Sequence, residues 1–270
     1  MPQDNQQAVW DQAYAYRKNN KAYTRLVTEG DSWFCYPMWR SMMDVIAESN
    51  RFAICRRGES GRRLLEIVND GRYLTAVRSE KPEALLISGS GNDFVNKEFV
   101  TGLDGQPPLF NKYTNGMGVD ALINEDKWTN KINDLYGYFD TIVQNVGGLP
   151  VVTHGYDYIV PSGKPAAYDG LHVAGPWIKP TMDDQGIPEE LQQGIVVLLI
   201  DSLNDMMRNV ATTHSTFIHV DIRGTCVAAD WANEIHPYES GFEKLAAKCL
   251  KGVDAVLAHP PVVADAGGGS

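Results

Sequence analysis

Two residues far apart in this sequence have the types and settings that nucleophilic catalysis requires. Ser32 stands in Glu29-Gly30-Asp31-Ser32-Trp33, directly after a β-prone run at residues 23–28 and before a stretch with helix-like apolar spacing. A glycine at that junction permits a tight turn, so the hydroxyl can stand at the edge of a sheet. An isolated Gly-Asp-Ser is more often a helix cap, which Asp and Ser form routinely, so its company has to decide. His236 lies near the C-terminal end in Trp231-Ala232-Asn233-Glu234-Ile235-His236-Pro237, just before the last helical pattern. An imidazole is the side chain whose ordinary pKa suits it to take and return a proton near neutrality.

Two further turns carry donors suited to a developing negative charge. Gly58, in Arg57-Gly58-Glu59-Ser60-Gly61, can bring its backbone N–H close to an oxyanion without side-chain interference. Asn92, in Gly89-Ser90-Gly91-Asn92-Asp93, offers a neutral amide that does not titrate. Taken singly, the first is a loop glycine and the second a turn residue.

The elements that must position these residues recur in a regular order. Strand candidates at 23–28, 52–55, 84–87, 151–153 and 217–220 alternate with helical patterns at 34–49, after a Gly58-containing turn up to 68, and at 131–146, 188–210 and 238–250. Five strands separated by crossover helices imply a parallel sheet covered on both faces, hence an α/β fold of the three-layer α/β/α sandwich type. The expected organisation is a peripheral N-terminal segment at 1–21, one catalytic domain at 22–255, and a flexible Gly/Ser-ended tail at 256–270. Two long loops, about 94–131 and 159–185, are rich in Gly, Pro, Asn and Asp, and are placed to shape a pocket at the C-terminal strand ends.

In chain order, these blocks resemble the SGNH, or GDSL-type, hydrolase family. Gly30-Asp31-Ser32 resembles its serine block, Gly58 its glycine block, Gly91-Asn92-Asp93 its asparagine block, and Asn233-Glu234-Ile235-His236-Pro237 its histidine block. The resemblance spans about residues 27–250. It implies a flavodoxin-like five-stranded parallel sheet, esterase or lipase activity through Ser32 and His236, and an oxyanion hole made by the Ser32 N–H, the Gly58 N–H and the Asn92 amide. It also implies that no cofactor is needed. One position departs from the family pattern: Asn233 stands where an aspartate is usual, three residues before the histidine. Its carbonyl oxygen can still accept the Nδ1 proton, although a neutral acceptor stabilises imidazolium less than a carboxylate does. Asp230 and Glu234 are the nearby alternatives, and spacing leaves all three open.

On this reading the substrate is a small-molecule, lipid or carbohydrate ester. Lipase, carbohydrate O-deacetylase and thioesterase activities all fit the same machinery, and a catalytically impaired binding module on the same fold is the alternative if Asn233 leaves His236 misoriented. A nucleotide-binding reading ranks last, since neither GxGxxG opening a first βα unit nor GxxxxGK[ST] occurs. A net charge of −10 with no long basic run argues against nucleic acid. No stretch approaches the roughly 20 apolar residues of a membrane span, and the N-terminus lacks a basic start and an apolar signal core, so a soluble, cytoplasmic chain without a signal peptide is expected.

The remaining residues of interest divide by setting. Four scattered cysteines without CxxC spacing read as buried thiols. Among the other histidines, His154 follows the fourth strand at the end where substrate binds, yet a structural hydrogen bond is its more ordinary role; His172, His214, His219 and His259 form no compact ligand set, so no metal site is expected. Trp33 and the aromatics after it suit either an acyl pocket or core, while Phe110, Trp128 and Trp177, in or beside the long loops, are candidates for substrate contact.

Overall fold

The computed structural model describes residues 2–103 and 105–259. Its centre is a five-stranded, all-parallel sheet of β1 (Thr24–Gly30), β2 (Phe52–Arg56), β3 (Ala84–Ser88), β4 (Val151–His154) and, last in the chain, β7 (Phe217–Val220), in the order β2-β1-β3-β4-β7. Between β4 and β7, β5 (Ala166–Tyr168) and β6 (Leu171–Ala174) form a separate antiparallel ribbon. The strands form where the sequence gathers short apolar runs, and β2 and β3 are buried along their whole length, as parallel strands covered on both faces must be.

Ten helices flank this sheet among the described residues: α1 (Pro2–Arg17), α2 (Met42–Glu48), α3 (Leu64–Asp70), α4 (Arg72–Glu80), α5 (Gly91–Val95), α6 (Lys97–Thr101), α7 (Glu125–Val146), α8 (Lys179–Asp184), α9 (Glu189–Thr213) and α10 (Glu239–Ala258). One layer packs α10 on α2; the other joins α3, α7 and α9. The chain therefore has the expected three-layer α/β/α architecture. The peripheral N-terminal segment is α1, packed on β2, with the Arg56 guanidinium 3.8 Å from the centre of the Trp10 ring.

Several expected boundaries shift for local reasons. The helix expected at 34–49 begins only at Met42, because residues 34–41 form turns around Pro37 and Ser41 closes them: its hydroxyl donates to the Phe34 carbonyl at 2.7 Å and its N–H to Asp44 Oδ2 at 2.8 Å. The stretch expected as one helix to 68 is α3, and α4 follows it after a break at Gly71. The loop at 94–131 contains α6 and the first turns of α7, whose start is fixed by Asn124 Oδ1 accepting from Lys127 N at 3.1 Å. The loop at 159–185 carries the β5–β6 ribbon and α8. Residues 256–258 continue α10, and the expected tail from 260 onward lies outside the described residues.

Candidate active site

β1 and β3 approach closely where the Gly-Asp-Ser turn leaves the sheet. Gly30 pairs with Ser88, and a Cβ on Gly30 would stand 2.6 Å from the Ser88 carbonyl oxygen and 2.7 Å from its Cβ. No larger residue fits there without moving a backbone. Asp31 then anchors the turn: its carboxylate accepts from Trp33 N at 3.0 Å, Ser88 Oγ at 2.7 Å and Tyr156 Oη at 2.5 Å. Those three donors come from the turn itself, β3 and the segment after β4, so the sheet's centre fixes the path of the chain through Ser32.

Ser32 Oγ lies 2.7 Å from His236 Nε2, and both side chains are buried. His236 Nδ1 lies 3.1 Å from Asn233 Oδ1, which also accepts the backbone N–H groups of Ile235 at 3.1 Å and His236 at 2.9 Å. Backbone N–H groups can only donate, so they fix the amide with its oxygen toward the imidazole. His236 Nδ1 therefore carries the proton, and Nε2 is left as the acceptor for the Ser32 hydroxyl. On the other side of the amide, Asn233 Nδ2 donates to Tyr36 Oη at 3.3 Å, and the Tyr36 ring packs over the imidazole with centroids 4.3 Å apart. Burial holds the His236 pKa down to about 3, which keeps the ring neutral.

The other two candidates for orienting the histidine are committed elsewhere. Asp230 is paired with Lys244 Nζ at 2.7 and 2.8 Å and accepts from Val227 N at 2.8 Å, so its place as a triad member is corrected to that of a loop anchor. Glu234 is fully buried, and its carboxylate accepts the backbone N–H groups of Gly163, Trp177, Ile178 and Lys179. It thereby ties the 159–185 loop and the start of α8 to the segment that carries His236.

The expected donors on the other side of Ser32 line different cavities. Asn92 and Ser32 line one small apolar cavity together with Trp33, Phe94, Ile159 and Ile200. Asn92 also lines a larger cleft with Gly61 and Trp177, and its Nδ2 donates to the Arg62 carbonyl at 3.0 Å. Gly58 lines a separate cavity with Cys35, Arg56 and Trp10 and backs onto Gly30 and Cys35. The glycine that shares a cleft with Asn92 is thus Gly61, whose φ of +85° suits glycine. Both glycines follow β2 within five residues, and the sequence offers no signal that separates them; only the path of the turn does.

The turn holding Gly61 is secured from beneath by Arg62, which is buried and reaches Asp70 at 2.5 Å and Glu29 at 3.7 Å. Glu29 is fully buried, and burial outweighs the nearby guanidinium to lift its pKa to about 8. Two residues before Asn92 stands Ser90, a non-glycine residue at φ +97° whose buried hydroxyl has no hydrogen-bond partner, a strained turn at the entry to α5.

The candidate substrate contacts separate clearly. Trp177 lines the cleft, and its ring meets the His236 ring edge to face at 5.5 Å. Trp33 is buried, lines the small cavity and donates from Nε1 to the Ile235 carbonyl at 3.1 Å. His154 is fully buried behind the serine, 2.9 Å from Ser88 Oγ and donating from Nδ1 to the Gly155 carbonyl at 2.7 Å; it lines neither the small cavity nor the cleft, so it is a structural residue and not a substrate contact. Phe110 and Trp128 are core residues, the latter donating to Ser202 Oγ at 3.1 Å. Among the described residues, no group of three His, Cys, Asp or Glu side chains is placed to hold a metal ion, and no helix is long and apolar enough to cross a membrane.

No family model and no curated protein matches the sequence. Solved structures do match the fold. A protein from Parabacteroides merdae designated a GDSL-like lipase superposes with a TM-score of 0.53 at 14% identity, over 87% of this chain and 97% of that one. One from Streptococcus pneumonia designated a platelet activating factor gives 0.50 at 10% identity, over 95% and 92%. The acetyl xylan esterase Est2A of Butyrivibrio proteoclasticus gives 0.50 at 11% identity, over 87% of this chain and 65% of that one. The chain thus has the fold found in proteins of the SGNH/GDSL type, in agreement with the order of its sequence blocks.

Proposed function

We propose that this chain is a serine carboxylic ester hydrolase with Ser32 as nucleophile, His236 as general base and acid, and Asn233 as the residue that orients the imidazole. The observation that carries this reading is the 2.7 Å contact between Ser32 Oγ and an Nε2 left unprotonated by the Nδ1–Asn233 contact. Names of fold neighbours such as GDSL-like lipase and acetyl xylan esterase agree with it.

In the first step the Ser32 oxygen attacks the ester carbonyl carbon while its proton passes to His236 Nε2. The resulting oxyanion is held by backbone N–H groups of Ser32 and Gly61 and by the second amide hydrogen of Asn92, the first being given to Arg62. The carbon–oxygen bond to the alcohol then breaks, and the alkoxide takes the Nε2 proton. Water repeats the sequence on the acyl-enzyme and releases the acid. Lipase, deacetylase and thioesterase chemistry differ only in what flanks the carbonyl.

Hydrolysis of p-nitrophenyl acetate by the intact chain and by Ser32→Ala tests the assignment. Loss of at least about a thousandfold in kcat, with the folded state retained, is the expected result. A Ser32→Ala variant that keeps its rate overturns the nucleophile assignment.

A further inference from the structure

We propose that Arg62 is a positioning residue of the hydrolytic reaction, its guanidinium fixing the carbonyl that aims the Asn92 amide at the oxyanion; the assignment rests on the ester-hydrolase reading above. Among the described residues of the turn between β2 and α3, 57–63, Arg62 is the only one buried. The turn thus has no apolar side chain to hold it down, and a Cβ on Gly61 would meet nothing within 4 Å. What fixes it is a charged group taken out of water, an anchor that is satisfied only where its partners stand. Arg62 Nη2 meets Asp70 Oδ2 at 2.5 Å, on the last residue of α3, and Nη1 faces Glu29 Oε1 at 3.7 Å, on β1 three residues before Ser32. Nη1 makes no hydrogen bond, so Asp70 sets the direction of the guanidinium and Glu29 limits how deep it goes. Glu59 N donates to the Gly30 carbonyl at 2.9 Å and ties the same turn to the serine strand a second time.

The other end of the turn reaches the candidate site. Asn92 Nδ2 donates to the Arg62 carbonyl at 3.0 Å, and Leu64 N donates to Asp93 Oδ2 at 2.7 Å, so residues 62–64 and 92–93 are fastened to each other at two points. The two hydrogens of an amide nitrogen lie in one plane at a fixed angle, so the carbonyl that takes one determines where the other points. Asn92 lines the small cavity with Ser32, where that second hydrogen is needed. A shift of the Arg62 carbonyl therefore turns the donor away from the oxyanion while leaving the Ser32–His236 contact in place.

The test is a double-mutant cycle on the full chain, with p-nitrophenyl acetate near neutral pH. Arg62→Met should fold, because Glu29, its pKa lifted to about 8, holds its proton there and Asp70 keeps Arg72 Nε at 3.2 Å. It should lower kcat at least about tenfold, a part of the roughly hundredfold loss expected for Asn92→Ala, with KM changed less than about twofold. In an Asn92→Ala background the same substitution should lower kcat less than about twofold, since no amide is left to aim. Asp70→Asn, at the exposed end of the pair, should lower kcat about threefold with the same dependence on Asn92, and it reads the coupling if Arg62→Met does not fold. Losses that multiply independently in the cycle, or an unchanged kcat in folded Arg62→Met, overturn the positioning role and leave the hydrolase reading standing. No turnover by the folded wild-type protein, together with no phosphonate labelling of Ser32, overturns both readings.

Discussion

Asn233 Oδ1 stands 3.1 Å from His236 Nδ1 while taking two backbone N–H groups of its own segment. An asparagine in this role fails when its NH₂ faces the histidine, because the wrong tautomer follows; here the backbone forbids that orientation. Asn233→Leu should therefore lower kcat by at least about a hundredfold. Asn233→Asp should keep the geometry, add a charge beside the imidazole and raise kcat. A drop in Asn233→Asp equal to that in Asn233→Leu, measured by steady-state kinetics, shows that the amide is not held oxygen-inward.

The same site sets the pH dependence. Only neutral His236 accepts the serine proton, and burial holds its pKa down to about 3, below the ordinary 6.5. The acid limb of kcat/KM should accordingly lie well below the usual histidine range, with a flat profile down to about pH 5. Asn233→Asp should move that limb upward, since a carboxylate favours the protonated ring. An acid limb near the ordinary histidine pKa in the intact enzyme contradicts the dry environment seen here.

Stability should respond to pH through Glu29. Its folded-state pKa, raised to about 8 from the ordinary 4.5, means the native state holds a proton that the unfolded chain gives up. The stability attached to that proton is fully present below about pH 4.5 and is lost as pH rises through about 8. Glu29→Gln should remove this component, so the difference in unfolding free energy between variant and wild type should grow in favour of the variant from about pH 5 to 8. Urea denaturation at the two pH values reads it, and a constant difference refutes it.

Glu234→Ala strips the acceptor from the N–H groups of Gly163, Trp177, Ile178 and Lys179. A loss on the order of a few kcal/mol in stability is expected when these amides lose their acceptor, with hydrogen exchange accelerated at them. Unchanged exchange at Trp177–Lys179 would show that the loop is held by other contacts.

The sheet was legible in the sequence because central parallel strands are buried on both faces and so appear as uninterrupted apolar runs, as in Leu85-Leu86-Ile87. The β5–β6 ribbon left no such trace: β6 is exposed at every position, so nothing compels an alternating pattern. Ser32 and His236 were readable from residue type and place at the ends of elements. That Gly61, rather than Gly58, shares a cleft with Asn92 was not, since it depends on how a turn curls after β2. Nor were the commitments of Asp230 to Lys244 and of Glu234 to the 159–185 loop, which are decided by partners far away in sequence.

The anchoring of that loop by Glu234 has a consequence for how the molecule can vary. Its four bonded amides lie at Gly163 and at 177–179, and the β5–β6 ribbon hangs between these two fastened points with its outer strand exposed. Lengthening or shortening the ribbon at its tip, residues 169–170, leaves both points and the histidine segment in place, so this stretch of surface can change length without detuning the Ser32–His236 contact. A change of length between 175 and 179 has no such freedom, because there Trp177 and the bonded amides are parts of one fixture with His236.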